Sequence, residues 1–173
     1  MEDLIKENNN KKDKKTTTKD SIFDVKKKLM MEFESFSLVE LIDYQFEQYA
    51  AKEALIYKDK TISYQELNKL SDTLAKRIRW DYHQLNGKDI DDKTFIPIMF
   101  DKGIDLIITI IGVIKSGAAY IPLSPDYPED RIQYIIEDSG ADIIVCDKIY
   151  LNKIKCKKEN SQLHQITEFT FDG

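Results

Sequence analysis

Apolar side chains recur at three- and four-residue steps along several stretches of the chain, which is the spacing of one helix face. The first stretch, Ile22 to Phe36, carries lysines 26–28 among its apolar positions. It is interpreted as a helix that docks on the domain or is only partly formed; the alternative is an amphipathic helix for a membrane surface or a partner. Two further helices are predicted to begin at Ser37 and Ser63, because a glutamate follows each serine at the spacing of a capping box.

Strand-like and helical segments alternate in the second half of the chain. A small hairpin, residues 54–62, precedes a helix and then a polar stretch, Asp81 to Lys93, that is typical of a loop. From Phe95 to Cys146 the predicted order is β-α-β-α-β, which indicates a parallel sheet. Pro97 cannot donate to a neighbouring strand, so its strand is predicted to lie at the sheet edge or to start at the proline. A last strand is predicted within residues 166–171.

Composition and charge narrow the function classes. The chain has 173 residues, 42% of them hydrophobic, and its net charge of -5 argues against general nucleic-acid binding. Residues 1–20 are of low complexity and are predicted to be disordered. The longest apolar run, Leu106 to Ile114, is far shorter than the ~20 residues of a spanning helix, and no signal peptide is evident, so a cytoplasmic protein without a transmembrane segment is predicted. The two cysteines and two histidines are scattered, which predicts no metal site.

Three short motifs follow one another along the chain. The first is Thr61 to Leu67, in which a strand leads through a serine cap into a helix. The second is Ile114 to Leu123, which combines a helix end, a glycine stop, two alanines, an aromatic strand residue and a proline. The third is Pro125 to Ile132, a Pro-x-Tyr-Pro-x-x-Arg run that leads into a helix and is followed by Glu-Asp-Ser at 137–139. Each motif alone is weak evidence, and the order of the three makes the combination specific.

This ordered set resembles the start of the adenylation domains of nonribosomal peptide synthetases, which are members of the adenylate-forming ligase superfamily. The resemblance covers roughly Ser37 to Asp147, and it departs from the family at Ser124, where an aspartate is usual. Serine can still act as a turn former by accepting a backbone N–H. The motif positions, which are interpreted as structural, are Tyr64, Glu66, Leu67, Lys115, Gly117, Ala119, Tyr120, Pro122, Pro125, Tyr127, Pro128 and Arg131.

The resemblance implies an α/β fold: part of the N-terminal subdomain of an adenylate-forming enzyme, with amphipathic helices, a small hairpin and a partly parallel sheet. It also implies that family members use ATP and magnesium to convert an amino acid or other carboxylate to an acyl-adenylate, which they pass to a carrier-protein thiol. It places the ATP-phosphate loop and the catalytic lysine beyond Gly173. Neither 86–89 nor 112–117 has the glycine and hydroxyl spacing of a phosphate-binding loop. No catalytic, cofactor-binding or metal-binding residue is therefore predicted within the chain.

The resulting hypothesis divides the chain into two parts: residues 1–36, a lysine-rich tail with a candidate helix, and residues 37–173, the leading portion of an adenylation domain. The chain is predicted to be a fragment of an adenylating enzyme and to be inactive alone, with the remainder of the enzyme or a carrier protein as partner. The alternative is a non-catalytic interaction module or a gene remnant of the same fold. A complete small nucleotide-binding protein is disfavoured because no phosphate-binding loop was found. A truncated sheet would expose apolar area, which predicts marginal stability or aggregation.

Overall fold

The computed structural model describes residues 36–154 and 165–168. The predicted disorder of residues 1–20, the apolar stripe of 22–36 apart from its last residue, and residues 169–171 of the last predicted strand lie outside this range. Residues up to Ile42 and residues from Asp43 onward form separate units. The elements, in chain order, are α1 Leu38–Gln48, β1 Glu53–Tyr57, β2 Lys60–Ser63, α2 Tyr64–Asn86, β3 Phe95–Met99, α3 Ile104–Ser116, β4 Ala119–Pro122, α4 Glu129–Ser139, β5 Ile143–Cys146, a 3₁₀ helix Lys148–Lys153 and β6 Gln165–Glu168.

Both predicted capping boxes are present. The Ser63 hydroxyl accepts the Glu66 N–H at 3.2 Å, and the Glu66 carboxylate accepts the Ser63 N–H at 2.8 Å. Before α1, the Ser37 hydroxyl likewise accepts the Glu40 N–H at 3.3 Å, and the Glu40 carboxylate accepts the Ser37 N–H at 2.7 Å. Each pair satisfies two backbone donors that a helix start would otherwise leave open. At the other ends, Gly117 is the left-handed residue after α3 with φ 96°, as its position in the sequence predicted.

The prediction of a loop from Asp81 onward is wrong, because α2 continues to Asn86 and ends at Gly87. Asp81 and Tyr82 are buried, so this turn of the helix faces the core. The Arg77 Nε donates to both Asp81 oxygens at 2.8 and 2.9 Å, which offsets the burial of the carboxylate. Polar composition therefore misidentified a helical turn whose buried carboxylate is paired with Arg77.

The α/β fold class is confirmed. β1 and β2 form an antiparallel hairpin, and a separate parallel sheet has the strand order β4-β3-β5-β6. One face of this sheet packs on α2 and α3, whose core residues include Leu74 and Val113. The other face packs on α4 through Ile132 and Ile136. The sheet is thus covered by helices on both sides, as parallel sheets generally are.

The prediction that Pro97 marks an edge strand or a strand start is also wrong. It is the third residue of β3, which lies between β4 and β5. The Ile98 carbonyl accepts the Leu123 N–H, on the side of β4. Backbone groups of successive strand residues point to alternate sides, so the Pro97 nitrogen faces β5. Pairing with β5 begins only at Ile98, opposite Val145. The proline is tolerated because no ladder bond is formed at its nitrogen.

Replacing Ser63 with alanine is expected to lower the free energy of unfolding by about 1 kcal/mol, since it removes the cap of α2. The Ser63 backbone N–H and then its hydroxyl lower the pKa of Glu66. A lowered carboxylate pKa stabilises the fold above the ordinary glutamate range and loses this effect as the pH falls through the folded value. Thermal unfolding should therefore show the largest difference between the two proteins near neutrality and a smaller one in acid. Thr73→Ala on the same helix is the control, and an equal loss there would contradict the capping explanation.

Candidate functional site

A crevice lies where the connections from two neighbouring strands leave the sheet on opposite faces. β3 leads into α3 on one face, and β4 leads into α4 on the other. Ligands of open α/β sheets bind at such a switch point, outside the carboxyl ends of the strands. The volume here is about 960 Å³, and the lining includes residues 100–106 after β3, the last residue of β4 and residues 123–127 after it. This crevice is the candidate site.

The hairpin forms another wall of the crevice. Residues 57–60, its tip and flanking positions, line the volume. The Tyr57 ring lies against Gly103, where an added Cβ would be 3.6 Å from the nearest ring carbon. The ammonium of Lys58 lies 5.2 Å from the centre of the same ring. The hairpin therefore reaches the start of α3 and presents aromatic and cationic groups to the crevice.

The loops around the crevice are joined by the 3₁₀ helix that follows β5. The Tyr150 hydroxyl donates to Asp101, in the loop after β3, and this hydrogen bond raises the pKa of Tyr150 to about 12. The Lys153 ammonium donates to the Pro125 carbonyl, in the loop after β4, at 2.5 Å. Asp147 lines the crevice and caps the 3₁₀ helix by accepting the Ile149 N–H at 3.1 Å. Two side chains of this short helix thus hold the loops that follow β3 and β4.

Carboxylates outnumber ammonium groups in the crevice. Partial desolvation raises the pKa of Asp105, the nearby Lys60 lowers it, and Asp147 raises it further. Within residues 36–154 and 165–168, no group of three or more metal-ligating side chains could hold an ion. No step on magnesium or ATP is assigned to the described residues. The charged lining consists of Asp59, Asp101, Asp105, Asp126 and Asp147 against Lys58, Lys60 and Lys102.

Replacing Tyr150 with phenylalanine is expected to destabilise the protein near neutrality by removing the bond to Asp101. A raised tyrosine pKa favours the protonated phenol, so its contribution is complete below the ordinary value of 10.0 and is lost as the pH rises through about 12. Urea unfolding between pH 8 and 11 should therefore show the two proteins converging. Tyr134→Phe, at an exposed position, is the matched control. A difference that does not depend on pH would contradict the assignment.

The motif positions fall into two groups in space. One group surrounds the start of α2, where the Tyr64 ring lies 6.0 Å from the rings of Phe46 and Tyr49. Glu66 caps the helix, Leu67 is buried, and the Lys115 ammonium lies 4.8 Å from the centre of the Phe46 ring. These residues pack away from the strand ends that line the crevice.

The other group leads into the crevice. Gly117 turns the chain from α3 toward the exposed edge positions Ala119 and Tyr120. Of the residues after them, the crevice is lined by Pro122, Pro125 and Tyr127.

The third motif also begins α4. The Pro128 carbonyl accepts the N–H groups of Arg131 and Ile132 at 3.0 and 3.1 Å. The Arg131 guanidinium stacks 4.6 Å from the centre of the Tyr127 ring. The turn role predicted for Ser124 is confirmed, since its hydroxyl accepts the Asp126 N–H at 3.3 Å.

Sequence reasoning missed the groups that complete the crevice, chiefly Asp147, Tyr150 and Lys153. Each follows the carboxyl end of a predicted strand, and that position was a usable signal. The interactions themselves join residues far apart in the sequence, so spacing could not reveal them.

Comparison with known proteins identifies the family. The model of the AMP-binding enzyme family matches residues 42–172. The chain is 38% identical over 118 residues to bacitracin synthase 2 of Bacillus licheniformis, covering 68% of this chain and 4% of the relative. It is 34% identical over 112 residues to tyrocidine synthase 1 of Brevibacillus parabrevis, covering 65% and 10%. The chain thus spans a small part of the length of these relatives.

Solved structures agree on the fold. The nonribosomal peptide synthetase FmoA3 superposes with a TM-score of 0.63 at 18% identity, covering 71% of this chain and 12% of that one. The N-terminal subdomain of Klebsiella oxytoca NpsA gives 0.54 at 22% identity, covering 65% and 28%. No helix among the described residues is long and apolar enough to cross a membrane. The chain belongs to the AMP-binding enzyme family, and its described part has the fold seen in nonribosomal peptide synthetases.

Proposed function

We propose that this chain is the leading part of an ATP-dependent enzyme that activates an amino acid or another carboxylate as an acyl-adenylate. The observation that carries the proposal is the family match over residues 42–172, which includes all twelve motif positions. Bacitracin, tyrocidine and gramicidin S synthases are among the similar proteins, which favours an amino acid as substrate and a carrier protein as partner.

In this proposal the chain contributes framework rather than catalytic groups. Its parallel sheet fixes the strand ends, and the 3₁₀ helix holds the loops after β3 and β4 through Tyr150 and Lys153. ATP supplies the adenylyl group and magnesium neutralises its phosphates when both are bound. The sequence contains no phosphate-binding loop motif, so the chain by itself is proposed to be inactive and the chemistry to need further segments.

The alternative, a non-catalytic interaction module, would use the free edge of the sheet. Among the described strands β4 forms one edge and has four residues. The Ala119 N–H donates to the Thr94 carbonyl, on the inner side of the strand. Backbone groups of successive strand residues point to alternate sides, so the Tyr120 N–H points outward. Pro122, the next outward position, has no N–H to offer. Such a short and blunted edge is a poor template for a partner strand, which favours the enzyme proposal.

The test is amino acid-dependent ATP–pyrophosphate exchange by the native polypeptide, captured from cell extract with an antibody against residues 37–147. Exchange stimulated by one amino acid or other carboxylate is the expected result. The purified 173-residue chain is the matched sample and should show no exchange. A captured species near 20.2 kDa without exchange would favour the interaction module or remnant. Exchange by the purified chain would contradict the assignment of catalysis to other segments.

A further inference from the structure

The ammonium group of Lys115 is buried within the helical layer. Its side chain is 4% exposed, although lysine is rarely buried unless it is paired. The nitrogen lies 2.7 Å from an Asp72 oxygen and 2.8 Å from an Asp43 oxygen, and it also donates to the Asn68 amide oxygen. Three acceptors match the three N–H donors of an ammonium group. The Phe46 ring closes the remaining side, with its centre 4.8 Å away.

These partners come from two different helices. Asn68 and Asp72 belong to α2, whereas Asp43 and Phe46 belong to α1. Lys115 itself is in the last turn of α3. One cation therefore joins three helices, and we call Asp43, Phe46, Asn68, Asp72 and Lys115 the lysine cage.

The three helices do not depend equally on the cage. α2 and α3 are also joined by a shared core that includes Leu74 and Val113, and the Arg79 guanidinium donates to the Lys115 carbonyl at 2.8 Å. On α1, Phe46 is the buried residue, and the Asp43 side chain is about half-exposed. Loss of the ammonium would therefore affect α1 far more than the contact between α2 and α3.

The chain after α1 is anchored independently of the cage. The Ala50 carbonyl accepts the Gln65 N–H at 2.9 Å, and the Lys52 carbonyl accepts the Tyr64 N–H at 3.0 Å. These bonds fix residues 50–52 to the start of α2. They leave α1 attached at its carboxyl end even when its other contacts are broken, which is the arrangement of a hinged element.

We propose that the lysine cage is a latch that docks residues 43–48 of α1 onto α2 and α3, with residues 50–52 as the fixed anchor. Lys115 is the positioning residue of this latch, acting through the Asp43 carboxylate and the Phe46 ring. Opening the latch releases the second half of α1 as a unit and leaves the sheet and the other helices in place.

Hydrogen exchange of the full 173-residue chain tests the latch. In Asp43→Asn the ammonium keeps Asn68 and Asp72, so the fold is preserved while the ionic link to α1 is lost. Amides 43–49 are expected to exchange about tenfold faster, the scale of one charged hydrogen bond, and amides 106–113 of α3 less than about twofold faster. Glu47→Gln removes an exposed charge from the same helix and should leave both rates unchanged.

The variant Lys115→Met and the double variant separate a latch from general destabilisation. Lys115→Met should reproduce the fast exchange of residues 43–49, and adding Asp43→Asn to it should change that rate by less than about twofold, because the two groups act through one interaction. Full additivity would overturn the proposal. So would unchanged exchange in α1 of Asp43→Asn, or acceleration of α3 equal to that of α1.

Discussion

The substitution Gly112→Ala is expected to lower the free energy of unfolding by about 1–3 kcal/mol, the usual cost of overpacking a core. An added Cβ would lie 2.8 Å from Leu74 Cδ2, closer than such atoms approach, and 3.0 Å from Leu74 Cβ, which is tighter than most contacts. Leu74 is fully buried, so its side chain has no solvent to move into. Because its Cβ is also in the way, α2 and α3 must separate to make room. Urea unfolding of the full chain measures the loss.

A second substitution at the contact point distinguishes overpacking from other effects of the added methyl group. Leu74→Ala alone should cost about 2–5 kcal/mol by leaving a cavity. Combined with Gly112→Ala, the total should be smaller than the sum, because the new methyl group enters the vacated space. Gly103→Ala is the control for the same chemical change, since its Cβ would meet only the Tyr57 ring at 3.6 Å. Strict additivity would mean that the close contact is not the cause.

The other large effect is expected on the opposite face of the sheet. Ile132→Ala should lower the free energy of unfolding by about 2–5 kcal/mol, because this α4 side chain is fully buried and its truncation leaves a cavity beneath the helix. The loss would weaken the packing of α4 against Met99 and Ile144. Urea denaturation measures this change in stability. A lower midpoint with an unchanged dependence of the unfolding free energy on urea concentration is expected.

Tyr134→Ala on the same helix is the matched control. The Tyr134 side chain is 66% exposed, so its truncation should change stability by no more than about 0.5 kcal/mol. Similar losses at the two positions would mean that α4 is held by its general helical propensity rather than by the buried face. A negligible loss at Ile132 would contradict the packing described for this side of the sheet.

Local chemistry allowed much of the fold to be predicted. The spacing of Ser63 and Glu66 predicted a helix start, Gly117 predicted a helix end, and the alternation from Phe95 to Cys146 predicted the parallel sheet. Each of these signals depends on neighbours in the sequence. The two errors, at Asp81 and Pro97, arose where tertiary packing decided the outcome. The last turns of α2 carry the buried Asp81 toward the core, and the pairing of β3 with β5 begins only after the proline.

The candidate site was less accessible to prediction than the fold. The crevice depends on which face each connection takes, and the partners of its loops come from a different strand end. Lys115 gave no sequence signal for its cage, because Asp72 precedes it by 43 residues and Asp43 by still more. A lysine near a helix end ordinarily faces water, and only the packing of three helices turns this one inward.

The strand order β4-β3-β5-β6 has a consequence for synthesis of the chain on the ribosome. β3 emerges before both strands that flank it, so the sheet can grow from its middle outward, first by addition of β4 and then by addition of β5 on the other side. Each addition must wait for a whole intervening helix to emerge, and such non-local pairing slows folding. During that interval the apolar side chains of β3 lack their partners. The nascent chain is expected to be most prone to chaperone capture or aggregation between the emergence of β3 and that of β5.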